Sequence, residues 1–226
     1  TINFSAAGLV NPTFTLNLVN SFWSSDSIFS ANYDVVDFDE EIPSIDVEVS
    51  NVFDLAVNEM NTVELLGQFG VDTKNPLISS IISTDILIKQ SDLLSPIFTV
   101  DVIFEESMDT SIIPALTFWD QGSQYSSISQ IMAQSTWTDT NELSVAFLVS
   151  ANTNDLIPLD LTLSNITDSI GNTLLDSLEL SFIWSDMKSP EILAIVPNQS
   201  IISDSVVGAS LYFIDIEFNE PMDISM

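Results

Sequence analysis

Residues 98–111, FTVDVIFEESMDTS, return as residues 212–226, YFIDIEFNEPMDISM. Phe104 falls on Phe218, Met108 on Met222 and Asp109 on Asp223, an offset of 114 residues each time. The correspondence runs without a gap from residues 1–112 onto residues 115–226. Self-similarity at one spacing marks a repeated structural unit, so the chain is expected to fold in units of about 114 residues, each able to bury its own core. The phase then divides the chain: residues 73–186 make a complete repeat, residues 1–72 a repeat lacking its first strands, and residues 187–226 the first strands of a following repeat. Head and tail together fall two residues short of a period. Either the chain is a window on a longer continuous array, or the tail of one copy completes the head of the next by strand exchange. The window is favoured, because an array needs no special break.

Within the repeat, apolar residues alternate. Phe29, Ala31, Tyr33 and Val35 keep the phase of Leu143, Val145, Phe147 and Val149, and Ile45, Val47 and Val49 that of Leu159, Leu161 and Leu163. Phe98, Val100, Val102 and Phe104 match Tyr212, Ile214, Ile216 and Phe218 in the same way. Period two is the signature of a strand with one face buried. After Phe104 the alternation stops, and Glu106, Met108, Asp109, Thr110 and Ser111 predict a turn or a single helical turn. Trp23 and Trp137, and Met108 and Met222, are expected in the core. About seven short strands per repeat, with no long segment of helical period, predict a β-sandwich.

The punctuation recurs too. D-x-x-G-N at residues 168–172 suits a tight reversal; the earlier copy keeps Asp54 and Asn58 but has Val57 in place of Gly171, which predicts a strained or differently shaped turn. D-x-K-x-P at Asp72, Lys74 and Pro76, and again at Asp186, Lys188 and Pro190, predicts linkers, since proline cannot continue a ladder.

Composition limits what such units can do. The formal net charge is −30, from 33 acidic residues against three lysines, with no arginine. Without arginine forks or a basic patch, nucleic acid is excluded as a partner, and anionic membrane surfaces are disfavoured. Divalent cations are the natural counterpart of this charge. No histidine and no cysteine are present, which removes disulfides, soft-metal sites and most nucleophile–base chemistry. With 46% hydrophobic residues and a mean hydropathy of +0.33, the chain is expected to fold rather than to act as a disordered acidic tail. No apolar run reaches the roughly 20 residues that span a bilayer. Thr1 does not open a secretory leader, so a soluble, mature or excised segment is expected.

Taken together, D-x-K-x-P, F-x-V-x-V-x-F-x-E-x-M-D-x-S and L-x-L-x-L-S-N-x-x-D-x-x-G-N resemble the bacterial Ig-like repeats strung along large surface adhesins and biofilm proteins, including the mobile adhesins of gliding Bacteroidetes. The resemblance covers essentially the whole chain and implies an all-β fold of tandem Ig-like β-sandwich domains in a rod-like array. It implies an extracellular, cell-surface location and a structural or adhesive role as a stalk or filament. The partners implied are neighbouring repeats or head-to-tail copies, with a surface receptor or glycan as a further possibility. Val57 at the turn glycine, and Gly70 opposite Trp184, depart from the pattern and leave the strand ends of the first unit open.

Carboxylates are the chemistry on offer. Glu106, Asp109, Asp168, Asn172 and Asp186 supply hard oxygen donors near strand ends, where Ca²⁺ could bind at junctions between units. The competing reading is that these are turn residues accepting their own backbone N–H groups, since no run has EF-hand spacing. No enzyme is expected. Two carboxylates can in principle hydrolyse glycosides, but these acids recur as part of the fold pattern. A carbohydrate- or protein-binding module using Trp119, Tyr125 or Trp137 is the other alternative, and it would expose these aromatics in one patch.

Overall fold

The computed structural model describes residues 1–10, 13–95, 97–175, 178–204, 207–208 and 212–225; Met226, the last residue of the repeated stretch, lies outside them. Residues 1–72 carry β1 (Ile2–Ser5), β2 (Phe14–Leu16), β3 (Phe22–Trp23), β4 (Phe29–Ser30), β5 (Tyr33–Val35), β6 (Glu41–Val49) and β7 (Val63–Asp72). Residues 73–186 carry β8 (Ile78–Ser83), β9 (Leu87–Lys89), β10 (Ile97–Phe104), β11 (Ala115–Asp120), β12 (Ser123–Gln124), β13 (Ile128–Gln130), β14 (Thr136–Asp139), β15 (Glu142–Val149), β16 (Ile157–Ser164) and β17 (Leu178–Asp186). Two more strands, β18 (Ile192–Pro197) and β19 (Ile214–Phe218), follow. The fold is all-β, and every strand pairing among the described residues lies within one of these three ranges.

The middle range has ten strand segments rather than about seven, because three short segments pair briefly at sheet edges as β9, β12 and β13. They form two five-stranded sheets: β13-β15-β10-β8, with β14 also on β15, and β12-β11-β16-β17-β9. Both sheets feed one core. Phe98, Val100, Val102 and Phe104 of β10 and Leu143, Val145 and Phe147 of β15 come from the first; Phe118, Leu159, Leu161 and Ile183 come from the second. Phe118 meets Phe147 edge-on at 5.1 Å, and Phe98 stacks on Phe147 at 5.3 Å. Burying each such side chain contributes about 1.5–3 kcal/mol, which makes this two-layer core the main source of stability. After β10 the chain turns without forming a helix, and Met108 is buried as expected.

The repeat is present in the backbone as well as in the sequence. Positive φ recurs at matched positions: Gly8 and Gly122, Asn51 and Asn165, Val57 and Gly171, Gly67 and Ser181. Side-chain bonds recur with it. Asp46 Oδ1 accepts from the Gly67 N–H at 2.7 Å, and Asp160 Oδ1 from the Ser181 N–H at 2.8 Å. The Ser21 hydroxyl donates to the Asn17 carbonyl and accepts the Asn32 N–H, as the Ser135 hydroxyl does with Ile131 and Ala146.

Val57 therefore does not reshape its turn. The Asp54 N–H donates to the Asn58 carbonyl at 3.0 Å, matching Asp168 and Asn172 at 2.9 Å, and Val57 is held at φ 68. A β-branched residue in the left-handed region is strained, because its Cβ crowds the backbone. Gly70 has a separate cause. A Cβ there would lie 3.0 Å from the carbonyl oxygens of Ile42 and Pro43, where the β6–β7 register shifts, whereas Trp184 pairs regularly with Pro158.

Residues 1–72 include no counterparts of β8, β9 and β10, and the consequences are local and visible. β15 runs unbroken along β10, but its counterpart splits into β4 and β5. Trp137 is half-buried against Phe104 and donates its indole N–H to the Ile112 carbonyl at 2.9 Å. Trp23, expected in the core, is exposed and touches Phe29 instead, since nothing equivalent to Phe104 covers it. Met222, unlike Met108, is exposed, because residues 187–226 include no counterparts of Thr140 and Asp168, which meet Met108. The whole chain presents 14630 Å² of accessible surface, where a compact protein of 24.8 kDa presents about 10,000 Å².

Two stability changes are expected in chemical denaturation. Val57→Gly should stabilise the first unit by about 1 kcal/mol, the relief of one left-handed β-branched residue. Phe118→Ala should destabilise the middle unit by about 3–5 kcal/mol, as a cavity at the contact between the sheets requires.

Candidate functional site

Between residues 1–72 and the middle unit, three acids converge. Asp72 ends β7, Glu106 follows β10, and Asp168 sits in the turn after β16; each offers one oxygen within 4.8 Å of the others'. The turn brings two of them together. Asp168 forms a bridge with Met108, the Asp109 N–H donates to the Thr167 carbonyl at 3.0 Å, and the Ser169 N–H to the Ser107 carbonyl at 3.0 Å. These bonds lay the segment after β10 along the turn and so place Glu106 beside Asp168.

Asp168 is almost fully buried, and both of its carboxylate oxygens are bonded within its turn. Its Oδ1 accepts the N–H groups of Ile170, Gly171 and Asn172 at 2.9, 2.6 and 2.8 Å, and its Oδ2 accepts the Asn172 side-chain amide at 2.7 Å. Burial alone would raise its pKa. The hydrogen bonds, led by those from Asn172, outweigh burial and hold it below the ordinary 3.8. Asn172 also reaches across the junction, donating to Asp72 Oδ1 at 3.3 Å and to the Asp72 carbonyl at 3.4 Å. Glu106 shifts the other way: burial, then the charges of Asp168 and Asp72, push it above the ordinary 4.5, with Lys74 opposing.

A second group follows the middle unit. Asp155, Asp186 and Glu220 again bring oxygens within 4.8 Å of one another, and Lys188 Nζ lies 3.4 Å from Asp155. By the repeat offset, Asp186 matches Asp72, Glu220 matches Glu106, Lys188 matches Lys74, and Asp155 matches Glu41. Asp186 Oδ1 and Glu220 Oε1 are shielded from solvent and lack a hydrogen-bond partner among the described residues.

Of the residues expected as ligands, Glu106 and Asp168 thus share one group, joined by Asn172 through its amide, and Asp186 belongs to the other. Asp109 is in neither: its carboxylate accepts the Ser111 N–H at 2.9 Å, which lowers its pKa, and Asp223 does the same with Ser225. Asp72, Asp155 and Glu220 were not singled out in sequence, although Asp72 and Glu220 are the repeat partners of Asp186 and Glu106. Six to eight oxygen donors suit calcium, and either group can contribute three carboxylates toward such a shell.

The three aromatics do not form a patch. Tyr125 is buried, its hydroxyl 2.9 Å from the Ser185 hydroxyl; Trp119 donates to the Thr162 hydroxyl at 2.7 Å; and Trp137 packs on Phe104. No known protein family, curated protein or solved structure matches the chain. Among the described residues no helix is long and apolar enough to cross a membrane.

Opposite pH dependences are expected from buried Asp168 and half-buried Glu106. The raised pKa of Glu106 means that its ionisation opposes folding, a cost absent below 4.5 and complete once the pH passes the folded value. Glu106→Gln should therefore be more stable than the parent at neutral pH in chelator, with the difference vanishing in acid. The depressed pKa of Asp168 contributes stability present above 3.8 and lost as the pH falls through the folded value. Asp168→Ala should cost about 1.5–3 kcal/mol at neutral pH, as loss of hydrogen bonds to a charged acceptor implies, and less in acid. Urea titrations across pH measure both.

Proposed function

We propose that the chain is a segment of a tandem Ig-like array that serves as an extended spacer or adhesive stalk at the cell surface, with calcium seated at the junctions between its units. The observation that carries this reading is the recurrence of one acidic arrangement at both linkers. Asp72 and Glu106 at the first, and Asp186 and Glu220 at the second, are repeat partners, and each pair meets a third carboxylate. In an array the same junction would form at every step.

The mechanism is mechanical. Residues 73–186 hold themselves together through a two-layer core, as each complete unit of an array would, while the D-x-K-x-P linker keeps successive units close and limits bending. Facing carboxylates repel across the junction, and the raised pKa of Glu106 reflects its burial first and that repulsion second. A divalent cation would turn it into a clamp, and extracellular modules bind calcium at roughly 10⁻⁴ to 10⁻³ M. The excess of acid elsewhere keeps neighbouring rods apart.

Calcium at about ten times its dissociation constant should stabilise the chain by about 1.4 kcal/mol per site, raising the melting temperature by a few degrees over chelator. Glu106→Gln should blunt that response. An identical melting curve with and without calcium would count against the clamp. Solution X-ray scattering tests the rod separately: the radius of gyration should clearly exceed the roughly 17 Å of a compact chain of this length, and a value at that figure would count against an extended array.

A further inference from the structure

The outer face of the sheet β12-β11-β16-β17-β9 carries two tryptophans. Phe118, Leu159, Ile183 and Ile88 point into the core, so the residues beside them in each strand face outward. The strand register sets these in two adjoining rows: Gln124, Trp119 and Asp160 in one, Pro158, Trp184 and Leu87 in the next. Trp184 is 41% exposed and Trp119 is half-buried. The Trp119 indole N–H donates to the Thr162 hydroxyl at 2.7 Å, which holds its ring over β16. Neighbouring strands lie about 4.8 Å apart and rise about 3.4 Å per residue, so the two tryptophan Cα atoms stand about 12 Å apart across the face.

The fold requires neither indole. The repeat holds Ser5 where Trp119 stands and Gly70 where Trp184 stands; the tryptophan that both copies keep is Trp137, matched by Trp23. Nor does a following unit cover this face. Ser44 and Gly70, the repeat partners of Pro158 and Trp184, are exposed although the complete middle unit comes after them.

We propose that this face binds a neutral glycan chain, with one sugar ring on Trp119 and another on Trp184. A pyranose offers an apolar C–H face, which stacks on an indole, and a rim of hydroxyls, which need polar partners beside it. Both requirements are met. Asp160 lies between the two tryptophan strands; its Oδ1 accepts the Ser181 N–H at 2.8 Å, and its Oδ2 is left to accept a hydroxyl. The Gln124 carboxamide flanks Trp119 on the other side. A separation of about 12 Å suits an extended oligosaccharide, since a single sugar reaches one ring only. Charge selects among glycans: the two rows contain one carboxylate and no basic side chain, on a chain of net charge −30, so a sulfated or uronic-acid polymer is repelled. A carboxylate between the rings also argues against a protein partner, because charged residues are depleted at the cores of protein interfaces. The inference gives the adhesive role its ligand and rests on that role, not on calcium.

The test is affinity electrophoresis of the chain through gels holding β-glucan, arabinoxylan, galactomannan or dextran, with polygalacturonate as the anionic control. Oligosaccharides of any retarding polymer are then titrated and followed by tryptophan fluorescence. Retardation by at least one neutral polymer is expected, and none by polygalacturonate. Trp184→Ala should weaken binding by about tenfold or more, the loss of one aromatic anchor, and leave the melting temperature little changed, since this side chain lies outside the core. Trp23→Ala, which removes an exposed tryptophan from the first unit, should leave binding as it was. No retardation by any of the neutral polymers would overturn the proposal. So would binding that survives Trp184→Ala, an equal loss in Trp23→Ala, or tighter binding to polygalacturonate. The calcium response and the radius of gyration test the array, and none of these outcomes changes either.

Discussion

The structure depends on the burial of one apolar strand face, that of β10, between two sheets. Phe98, Val100, Val102 and Phe104 share one side of the strand because side chains alternate across a pleated backbone, and all four lie in the core. With β10 present, β15 runs as one strand, Trp137 has a ring to pack against, and Met108 closes the strand end. Residues 1–72 repeat the surrounding pattern without the strand, and there the counterpart of β15 splits, Trp23 faces solvent and a groove remains. Residues 1–72 and their counterparts 115–186 thus amount to an internal comparison in which the variable is the presence of β8, β9 and β10.

Charge is organised around the same strand. Glu106 follows β10 directly, and the hydrogen bonds joining residues 107–109 to the turn at Asp168 set it among other acids. Asp168 stays ionised because its turn surrounds it with donors, while burial, then the charges of Asp168 and Asp72, raise the pKa of Glu106. A fully satisfied carboxylate beside a poorly satisfied one differs from a uniformly solvated acidic surface. It concentrates repulsion at the junction, where a cation or a neighbouring unit has the most effect.

Much of this was legible in the residues. The 114-residue offset located the repeat, and the offset reappears in matched positive-φ positions and matched side-chain bonds. The alternation identified the buried face of β10, and D-x-x-G-N identified the turn. Less legible were the shape of the turn at Val57, the close backbone approach at Gly70 and the exposure of Trp23. Each depends on atoms that composition and alternation do not specify: the bonds between Asp54 and Asn58, the carbonyls of Ile42 and Pro43, and a strand that residues 1–72 do not include. The acids divided likewise. Glu106 and Asp168 were visible as candidates, but that Asp72 joins them, and that Asp109 turns back to Ser111, follows from how β7, β10 and the turn meet.

By itself the sequence determined the period, the strand faces, the turn positions and the excess of negative charge, since these follow from local alternation, backbone preference and composition. Only the tertiary structure decided which carboxylates converge, which matched residues are buried, and where apolar surface is left uncovered. The reason is that burial and electrostatic repulsion are properties of what lies nearby in space, and a side chain keeps the same identity whether or not its neighbouring strand is present.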